Sequence, residues 1–390
     1  MDALILSCGT GGGHNSAAKA IAAEMHMRGH RTTILNPYTL YSQKLAAKID
    51  STYVSMVQNR PHLFGAVYSA GQMYRKLPCK SPVYYVNRRM IPIMENYLSN
   101  HHYDVIIMTH LYAAEIITNL KDSHIEIPKT IFVSTDYVCI PFTEETECDA
   151  YIVPAKDLAK NYVQLGIPKE KILPFGIPTN HSFSKAENKE DVRKRLHLDL
   201  HKKYILIAGG SMGGGTIKDT MDALIKGFSD QRDVALLIVC GTNQKLYDTL
   251  ASNPAENITV IGYTDDMAQY LHAADLFVTK PGGLSSTEAA VCGIPILHTA
   301  AIPGCESYNA EFFQATGMSA FCRTPDEALA KARELLFNDE EASAMVQCQQ
   351  NQIEKFAAAK ICQYAESCVL QQLQPPVYPS TAKFSPVTGQ

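Results

Sequence analysis

The segment that decides the fold is 276-LFVTKPGGLSSTEAAVCGIPIL-297. Its apolar start predicts a buried strand, the Pro-Gly-Gly turn ends that strand, and the next ten residues predict a helix that stops at Gly293. The final residues begin a second strand, so the segment is one βαβ unit of a parallel sheet. The first turn of such a helix offers unpaired amides and a positive dipole end, and glycine lets an anion approach the backbone closely.

Two further glycine-rich turns follow predicted strands. The segment 205-ILIAGGSMGGGTIKDTMDALI-225 lies in the same half of the chain. A pair of such loops at the carboxyl edge of one sheet suits a diphosphate held from two sides, although glycines also serve simply as tight turns. The third loop, in 3-ALILSCGTGGGHNSAAKAIAAEM-25, fails the dinucleotide fingerprint because His14 replaces the third glycine. No G-K-[ST] follows it, so it is not a P-loop either. An imidazole at a helix start is held neutral and can act as a base near pH 7.

Strand and helix patterns alternate along almost the whole chain, which indicates an α/β fold with two doubly wound parallel sheets. The apolar runs in each half are rich in β-branched residues and suit strands buried on both faces. We predict an N-terminal domain over 1–183, a C-terminal domain over 184–355, a closing helix over 356–373 and a disordered tail over 374–390.

Composition excludes several functional classes. The 390 residues are 46% hydrophobic with a net charge of -4, which allows a large core and gives no basic field for nucleic acid. The 11 cysteines form no C-x-x-C pair, as in a reduced cytoplasmic protein. No signal peptide is evident at Met1, and no apolar run reaches the ~18–20 residues of a spanning helix. We therefore expect a cytoplasmic enzyme.

Six motifs in order resemble the diacylglycerol glycosyltransferases, which include processive diacylglycerol β-glucosyltransferases and monogalactosyldiacylglycerol synthases and are related to the lipid-linked GlcNAc transferase of peptidoglycan synthesis. The resemblance covers about 1–35, 104–185 and 204–322. Its motifs are GTGGGHNSAAKAI (9–21), VSTDY (133–137), FGIP (175–178), GGSMGGG (209–215), TKPGGLSSTEAAVCGIPIL (279–297) and IPGCESYNAEFF (302–313).

The resemblance implies a GT-B fold, in which two Rossmann-like domains face a cleft, with the acceptor in the first domain and a UDP-sugar in the second. It further implies inversion by single displacement without a catalytic metal or other cofactor, and the sequence contains no Asp-x-Asp. His14 is then the candidate base, Asp136 lies at the cleft, and Gly12 and Gly13 face the acceptor. The implied donor-binding residues are Gly210, Ser211, Met212, Gly213, Gly262, Tyr263, Pro281, Gly282, Gly283, Leu284, Ser285, Glu288, Glu306 and Asn309.

Three positions differ from the family pattern. Cys305 stands where relatives carry a sugar-binding glutamine, and a thiol cannot make the same two hydrogen bonds. Thr179 and Asn180 replace an arginine after the GIP motif, and no histidine follows the TDY motif. The identity of the sugar, glucose or galactose, stays open.

The stretch between Asp50 and Glu95 has no acidic residue and is rich in basic and aromatic side chains. Such a composition is typical of a peripheral surface on an anionic membrane, although a packed helical pair with a solvated basic face, or an RNA surface, would use the same residues. The residues assigned to the acceptor and membrane side are Arg60, Phe64, Tyr68, Arg75, Lys76, Arg88 and Arg89.

These inferences favour an inverting transferase that moves glucose or galactose from a UDP-sugar to the sn-3 hydroxyl of diacylglycerol, peripheral on the inner face of the cell membrane. Two alternatives stay open: an enzyme like UDP-GlcNAc 2-epimerase, or another transferase acting on lipid-linked sugars, and a non-catalytic nucleotide-sugar sensor. No metal site and no nucleic-acid partner are expected.

Overall fold

A computed structural model describes residues 1–9, 12–209, 217–252 and 255–373, with side chains omitted at 57–59 and 371–373. The described residues form two six-stranded sheets; with the strands numbered along the chain, the order is 2-1-3-4-5-6 in the first sheet and 12-11-10-7-8-9 in the second. All the pairings within both sheets are parallel. The strands are β1 (Asp2–Leu6), β2 (Arg31–Leu35), β3 (Val105–Met108), β4 (Lys129–Val133), β5 (Ala150–Ile152), β6 (Ile172–Leu173), β7 (Lys203–Ala208), β8 (Val234–Val239), β9 (Ile258–Ile261), β10 (Leu276–Thr279), β11 (Ile296–His298) and β12 (Ala320–Phe321).

The connections between strands are helical. Short 3-10 turns lie at Arg88–Met90, Thr143–Glu145, Lys156–Leu158 and Lys169–Lys171. The α-helices are α1 (Gly12–Met27), α2 (Tyr38–Tyr41), α3 (Gln43–Asn59), α4 (Pro61–Tyr74), α5 (Pro82–Asn87), α6 (Ile91–Asn100), α7 (Leu111–Asp122), α8 (Ala159–Gln164), α9 (His181–Ser184), α10 (Lys189–Arg195), α11 (Lys218–Gly227), α12 (Gln244–Ala251), α13 (Met267–Ala273), α14 (Gly283–Cys292), α15 (Cys305–Ala315), α16 (Pro325–Phe337), α17 (Asp339–Gln352) and α18 (Ala357–Leu373).

The predicted doubly wound fold is confirmed. Strand β3 is buried along its whole length, as expected for a strand covered by helices on both faces. Strand β6 is shorter than the apolar run 172–177 suggested, because Pro174 has no amide for the ladder and Gly176 takes a φ of +87°. The predicted domain boundary near residue 183 falls in the segment between the two sheets. The predicted tail 374–390 lies outside the described residues.

The closing helix α18 returns to the first domain. Its residues Ile361, Cys362 and Ala365 are fully buried in the cluster that contains Ile5 of β1 and Ile21 of α1. The chain therefore crosses between the sheets twice, and the packing of α18 fastens the second domain to the first.

The two domains meet where α1 and α14 begin. A Cβ atom placed on Gly13 would lie 3.7 Å from the Cβ of Leu284, which is ordinary contact. A Cβ atom on Gly283 would collide with the carbonyl oxygen of Thr135, so this position requires glycine. The carboxyl ends of both sheets consequently face one narrow cleft.

Helix α4 has two different faces. On one side Gly65 approaches Pro303 of the second domain, and the Gly304 position packs against the rings of Phe64 and Tyr68. The other side is exposed and apolar. Its exposed large hydrophobic residues are Leu63, Val67 and Met73, followed by Leu77 just beyond the helix. Among the described residues, no helix is both long and apolar enough to cross a bilayer.

Candidate active site

His14 lies at the centre of the candidate site. It sits in the first turn of α1, and its Nδ1 lies 2.7 Å from the carbonyl oxygen of Thr109, just beyond β3. The hydroxyl of Thr135, beyond β4, lies 2.9 Å from the same nitrogen. Because a carbonyl oxygen can only accept, Nδ1 carries the proton, and Nε2 of the neutral ring keeps a free lone pair. The ring of His110 packs edge-on against His14 at 4.5 Å.

The environment keeps His14 neutral. Burial lowers the pKa of His14, and the Asp136 carboxylate and the bond to Thr109 oppose that shift only in part. Burial beside His14 also lowers the pKa of His110 well below its ordinary value. A neutral imidazole with a free Nε2 can accept a proton from a hydroxyl near pH 7.

Asp136 is joined to the second domain through Asn309. The Asn309 amide donates to Asp136 Oδ1 at 2.9 Å and to the carbonyl of Pro281 at 3.0 Å. Its oxygen accepts the amide of Tyr137 at 2.7 Å. Asn309 is fully buried, and both the nitrogen and the oxygen of its side-chain amide are hydrogen-bonded to protein groups. It therefore bridges the domains and orients Asp136, rather than presenting its amide to a sugar as the sequence suggested.

Tyr137 strengthens the same bridge. Its ring stacks on Phe312 at 5.0 Å and meets Phe313 edge-on at 4.9 Å. Its hydroxyl lies 2.7 Å from the hydroxyl of Thr287 in α14. The TDY segment of the first domain is thus packed between α14 and α15 of the second.

Two cavities occupy the cleft and share a wall. The first has a volume of about 260 Å³ and contains the His14 side of the cleft. The second, of about 420 Å³, lies between α1 and the carboxyl ends of β7, β8 and β10. The residues that line both are Ser16, Thr279, Ser285 and Glu288. A ligand with two parts could span both cavities across this wall.

Glu288 lies one turn into α14, at the junction of the cavities. Its enclosed position raises the pKa of its carboxyl to about 8. No ion pair to Glu288 occurs among the described residues, and its side chain lines both cavities. A diol ligand that donates two hydrogen bonds would fit such a carboxylate.

The start of α15 carries a second charged group. Oε1 of Glu306 lies 3.3 Å from Nζ of Lys280, which follows β10. Oε2 of Glu306 accepts the amide of Ile302 at 2.9 Å. Cys305 lines the same cavity, and burial raises the pKa of its thiol well above the ordinary range.

Most predicted site residues come together in this cleft. Tyr263 lies on the rim of the second cavity, whereas Gly262 packs toward the Tyr247 ring and Pro281 contributes its carbonyl to Asn309. Gly210, Ser211, Met212 and Gly213 lie outside the described residues. The predicted residues lining the first cavity are Gly12, Gly13, His14, Phe64, Asp136, Gly282, Gly283, Leu284, Ser285, Glu288 and Glu306.

The residues predicted to face a membrane divide into two groups. Arg60, Lys76, Arg88 and Arg89 are exposed. Phe64 lines the first cavity, and Tyr68 packs toward Tyr308 of α15 with ring centroids 6.2 Å apart, so neither ring points outward.

Arg75 differs most from the expectation of a membrane contact. Its Nε donates to Glu144 at 2.8 Å, and its side chain is 6% exposed. The stretch 51–94 lacks acidic residues, but the fold supplies Glu144 from outside it. Arg75 consequently holds the end of α4 to the Thr143–Glu145 turn.

Sequence reasoning missed the residues that orient the candidate base. Thr109 directly follows β3 and Thr135 lies two residues beyond β4. The carboxyl ends of these neighbouring parallel strands share one edge of the sheet. Lys280 was also overlooked, although it lies inside the TKPGG motif. Position after a strand was the signal available for all three residues.

Comparison with known families agrees with this geometry. Residues 14–179 match the family described as monogalactosyldiacylglycerol (MGDG) synthase, and residues 184–352 match glycosyl transferases group 1. The first half of the chain is thus similar to the MGDG synthase family, and the second half is similar to the group 1 glycosyl transferases. The resemblance predicted from the motifs is thereby confirmed.

Curated relatives carry names of the same kind. A protein of Bacillus cereus (strain AH187) named processive diacylglycerol beta-glucosyltransferase is 28% identical over 346 residues, covering 86% of each chain. A protein of the same name in Bacillus anthracis (strain CDC 684 / NRRL 3495) is 28% identical over 347 residues, again with 86% of each chain covered.

Solved structures show the GT-B fold. MurG of Acinetobacter baumannii has a TM-score of 0.61 at 15% identity, with 94% of this chain and 99% of that chain covered. A putative UDP-N-acetylglucosamine 2-epimerase of Listeria monocytogenes has a TM-score of 0.62 at 13% identity, with 95% and 97% covered. Transferases and epimerases match equally well, so the likeness establishes the architecture alone.

Proposed function

We propose that this protein is an inverting glycosyltransferase that moves a hexose, glucose before galactose, from a UDP-sugar to the sn-3 hydroxyl of diacylglycerol. His14 carries the proposal through a single observation, the 2.7 Å contact of its Nδ1 with a carbonyl oxygen. Its Nδ1 proton is committed to the carbonyl of Thr109, and its Nε2 is left as a base in a cavity that faces the start of α14. The names of the curated relatives support the lipid acceptor and the hexose donor.

In the proposed reaction the donor spans both cavities. The nucleoside lies in the second cavity, with Glu288 accepting from the ribose hydroxyls and Tyr263 beside the uracil. The diphosphate lies at the N-terminus of α14, where Gly283 and Ser285 line the first cavity and unpaired amides favour an anion. The sugar then faces His14, Cys305 and Glu306.

The proton and the electron pairs move in one displacement. The acceptor hydroxyl gives its proton to His14 Nε2, and its oxygen attacks the anomeric carbon from the side opposite the diphosphate. The bond between that carbon and the β-phosphate oxygen breaks, and the oxygen keeps the electron pair as UDP departs. Attack from the opposite side inverts the anomeric configuration. Asp136 lies beside His14, where its carboxylate stabilises the imidazolium that forms.

The reaction as proposed uses no catalytic metal. Among the described residues no group of three or more His, Cys, Asp or Glu side chains could hold a metal ion. Backbone amides and helix N-termini instead stabilise the negative charge of the departing diphosphate. Addition of EDTA should therefore leave the rate within about twofold, and loss of activity that Mg²⁺ restores would contradict this part of the proposal.

The acceptor is a membrane lipid, so we place the protein peripherally on the inner face of the cell membrane. Support comes from α4, whose exposed side carries Val67 at 53% and Met73 at 73% exposure. The opposite side of the same helix brings Phe64 to the first cavity. Basic residues flank the apolar surface, and each such contact with an anionic leaflet contributes about 1 kcal/mol.

The test is incubation with radiolabelled UDP-glucose or UDP-galactose and vesicles of dioleoylglycerol with anionic phospholipid, with products separated by thin-layer chromatography. A labelled glycolipid from either donor supports the proposal and identifies the sugar. Conversion of UDP-GlcNAc to its epimer without lipid would instead support an epimerase. Binding of a UDP-sugar without turnover on any acceptor would support a sensor.

A further inference from the structure

A departing diphosphate carries several negative charges, whereas a helix N-terminus offers only a partial positive charge. The first cavity is lined by three carboxylates, those of Asp136, Glu288 and Glu306. Among its described lining residues, Lys280 is the only lysine or arginine. The undescribed segments 10–11 and 210–216 contain neither residue type in their sequence. The cavity therefore has one permanent cation with which to meet a multiply charged anion.

We propose that Lys280 is a catalytic residue whose ammonium binds the β-phosphate of the UDP leaving group, and that Glu306 is the residue that positions it. The inference rests on the proposed function and adds a specific contact to it. When the bond to the anomeric carbon breaks, the new negative charge develops on an oxygen of that phosphate. An ammonium group beside this oxygen lowers the energy of the transition state more than that of the ground state.

The backbone around Lys280 is fixed from several sides. Thr279, the residue before it, donates its hydroxyl to the carbonyl of Ala208 at 2.8 Å. The amide of Gly282 donates to the carbonyl of Lys280 at 2.8 Å, which closes the turn into α14. The next carbonyl, that of Pro281, accepts from the buried Asn309 amide at 3.0 Å. These hydrogen bonds fix the backbone position from which the Lys280 side chain extends, next to the N-terminus of α14.

Glu306 fixes the ammonium end of the Lys280 side chain. Its Oε2 is held by the amide of Ile302, and its Oε1 lies 3.3 Å from Lys280 Nζ. The side chains are 11% and 19% exposed, so the pair sits in the cavity wall rather than in solvent. An ammonium group has three donors, and this single contact leaves two for phosphate oxygens.

The experiment measures binding of UDP and of uridine by isothermal titration calorimetry, together with transferase turnover. We expect Lys280→Met to weaken UDP binding by about 10–100-fold and leave uridine binding within about twofold, since a charge-assisted hydrogen bond of this kind is lost. Turnover should fall at saturating donor as well. Lys280→Arg should recover part of the UDP affinity.

Two further variants separate a ligand contact from a structural ion pair. Lys245→Met removes the same charge from the exposed surface of α12 in the same domain and should leave UDP binding unchanged. Glu306→Gln breaks the ion pair yet keeps the cation, so it should weaken UDP binding less than Lys280→Met does. If Glu306→Gln loses UDP affinity as much as Lys280→Met does, the lysine merely holds the loop and the inference is overturned.

The binding measurements test the role of Lys280 separately from the proposed function. Wild-type protein that binds UDP while Lys280→Met binds it equally well overturns only the role of Lys280. Wild-type protein that binds neither UDP nor uridine overturns both. Melting temperatures within about 2 °C of the wild type confirm that each variant is folded.

Discussion

The Nδ1 atom of His14 lies 2.7 Å from the carbonyl oxygen of Thr109, although the two residues are 95 positions apart. This contact joins the first turn of α1 to the end of β3 and determines which ring nitrogen carries the proton. Removal of the imidazole should therefore remove the base and leave the donor site intact. We expect His14→Ala to lower kcat by about 10²–10⁴-fold with UDP affinity within twofold. Rates by thin-layer assay and UDP binding by calorimetry check this result, and retained turnover would exclude His14 as the base.

Glu288 gives the site a dependence on pH. Its carboxyl has a pKa raised by burial to about 8, so it is protonated below that pH and ionised above it. Ribose hydroxyls donate best to the ionised form. Uridine affinity should thus rise with pH, by up to about tenfold between pH 6.5 and pH 8.5. Uridine is the correct probe because it has no phosphate to titrate.

The matched variant for this measurement is Glu288→Gln. A neutral amide cannot ionise, so calorimetric titrations of this variant should give an affinity that is independent of pH over the same range. The wild-type and variant affinities should approach each other at the acidic end. Parallel pH profiles for the two proteins would show that another group controls the binding.

The sequence predicted the architecture because parallel strands and their helices leave strong local signals. Strand β3 is a continuous apolar run, and α18 begins within one residue of its predicted start. The candidate base was also visible, because His14 interrupts a glycine fingerprint at a helix start. Thr109 and Thr135 were not, since their contacts with His14 span 95 and 121 residues and depend on which strands are neighbours.

The surface predicted to face a membrane shows a different limit of sequence reasoning. Counts of basic and aromatic residues do not reveal which side chains find partners, and Arg75 finds Glu144 outside the stretch considered. Such counts also do not show that apolar residues lie along the exposed side of α4. Exposed apolar residues recur at intervals of three or four along one side of α4, at Leu63, Ala66, Ala70 and Met73, and that periodicity was present in the sequence.

Helix α4 should insert its exposed side into the bilayer. Replacing Val67 and Met73 together by serine removes most of the apolar surface there, and we expect at least tenfold weaker partitioning onto vesicles that contain anionic lipid. Co-sedimentation measures the partitioning. Higher salt should weaken binding of both proteins, because the flanking basic residues are screened.

A control variant uses Val163 on α8, which is 40% exposed in the same domain but lies outside α4. Val163→Ser should sediment with vesicles as the wild type does. The α4 double variant should keep its UDP affinity, which separates loss of docking from loss of folding. Unchanged sedimentation of the double variant would assign membrane binding to another surface.

A buried carboxyl beneath the α5 segment makes stability depend on pH. Glu115 of α7 is fully buried, and among the described residues neither of its oxygens has a hydrogen-bond partner. Burial, with a contribution from the nearby Glu145 carboxylate, raises the pKa of Glu115 to about 10. Glu145 itself stays in place because its Oε2 accepts the amide of Ser81 at 2.7 Å.

The sign of the effect follows from proton binding. Between the ordinary pKa of 4.5 and the raised value of about 10, the folded protein keeps the Glu115 proton and the unfolded chain has lost it. The contribution of Glu115 to the free energy of unfolding is therefore greatest below pH 4.5. Above that pH the contribution declines by up to about 1.4 kcal/mol per pH unit.

Glu115→Gln removes this contribution, so the variant should become the more stable protein toward pH 9. Urea unfolding at pH 6, 7, 8 and 9 measures the difference in slope, and Glu126→Gln, an exposed carboxyl of the same domain, should follow the wild type. Curves for Glu115→Gln that run parallel to those of the wild type would mean that Glu115 is ionised in the folded protein.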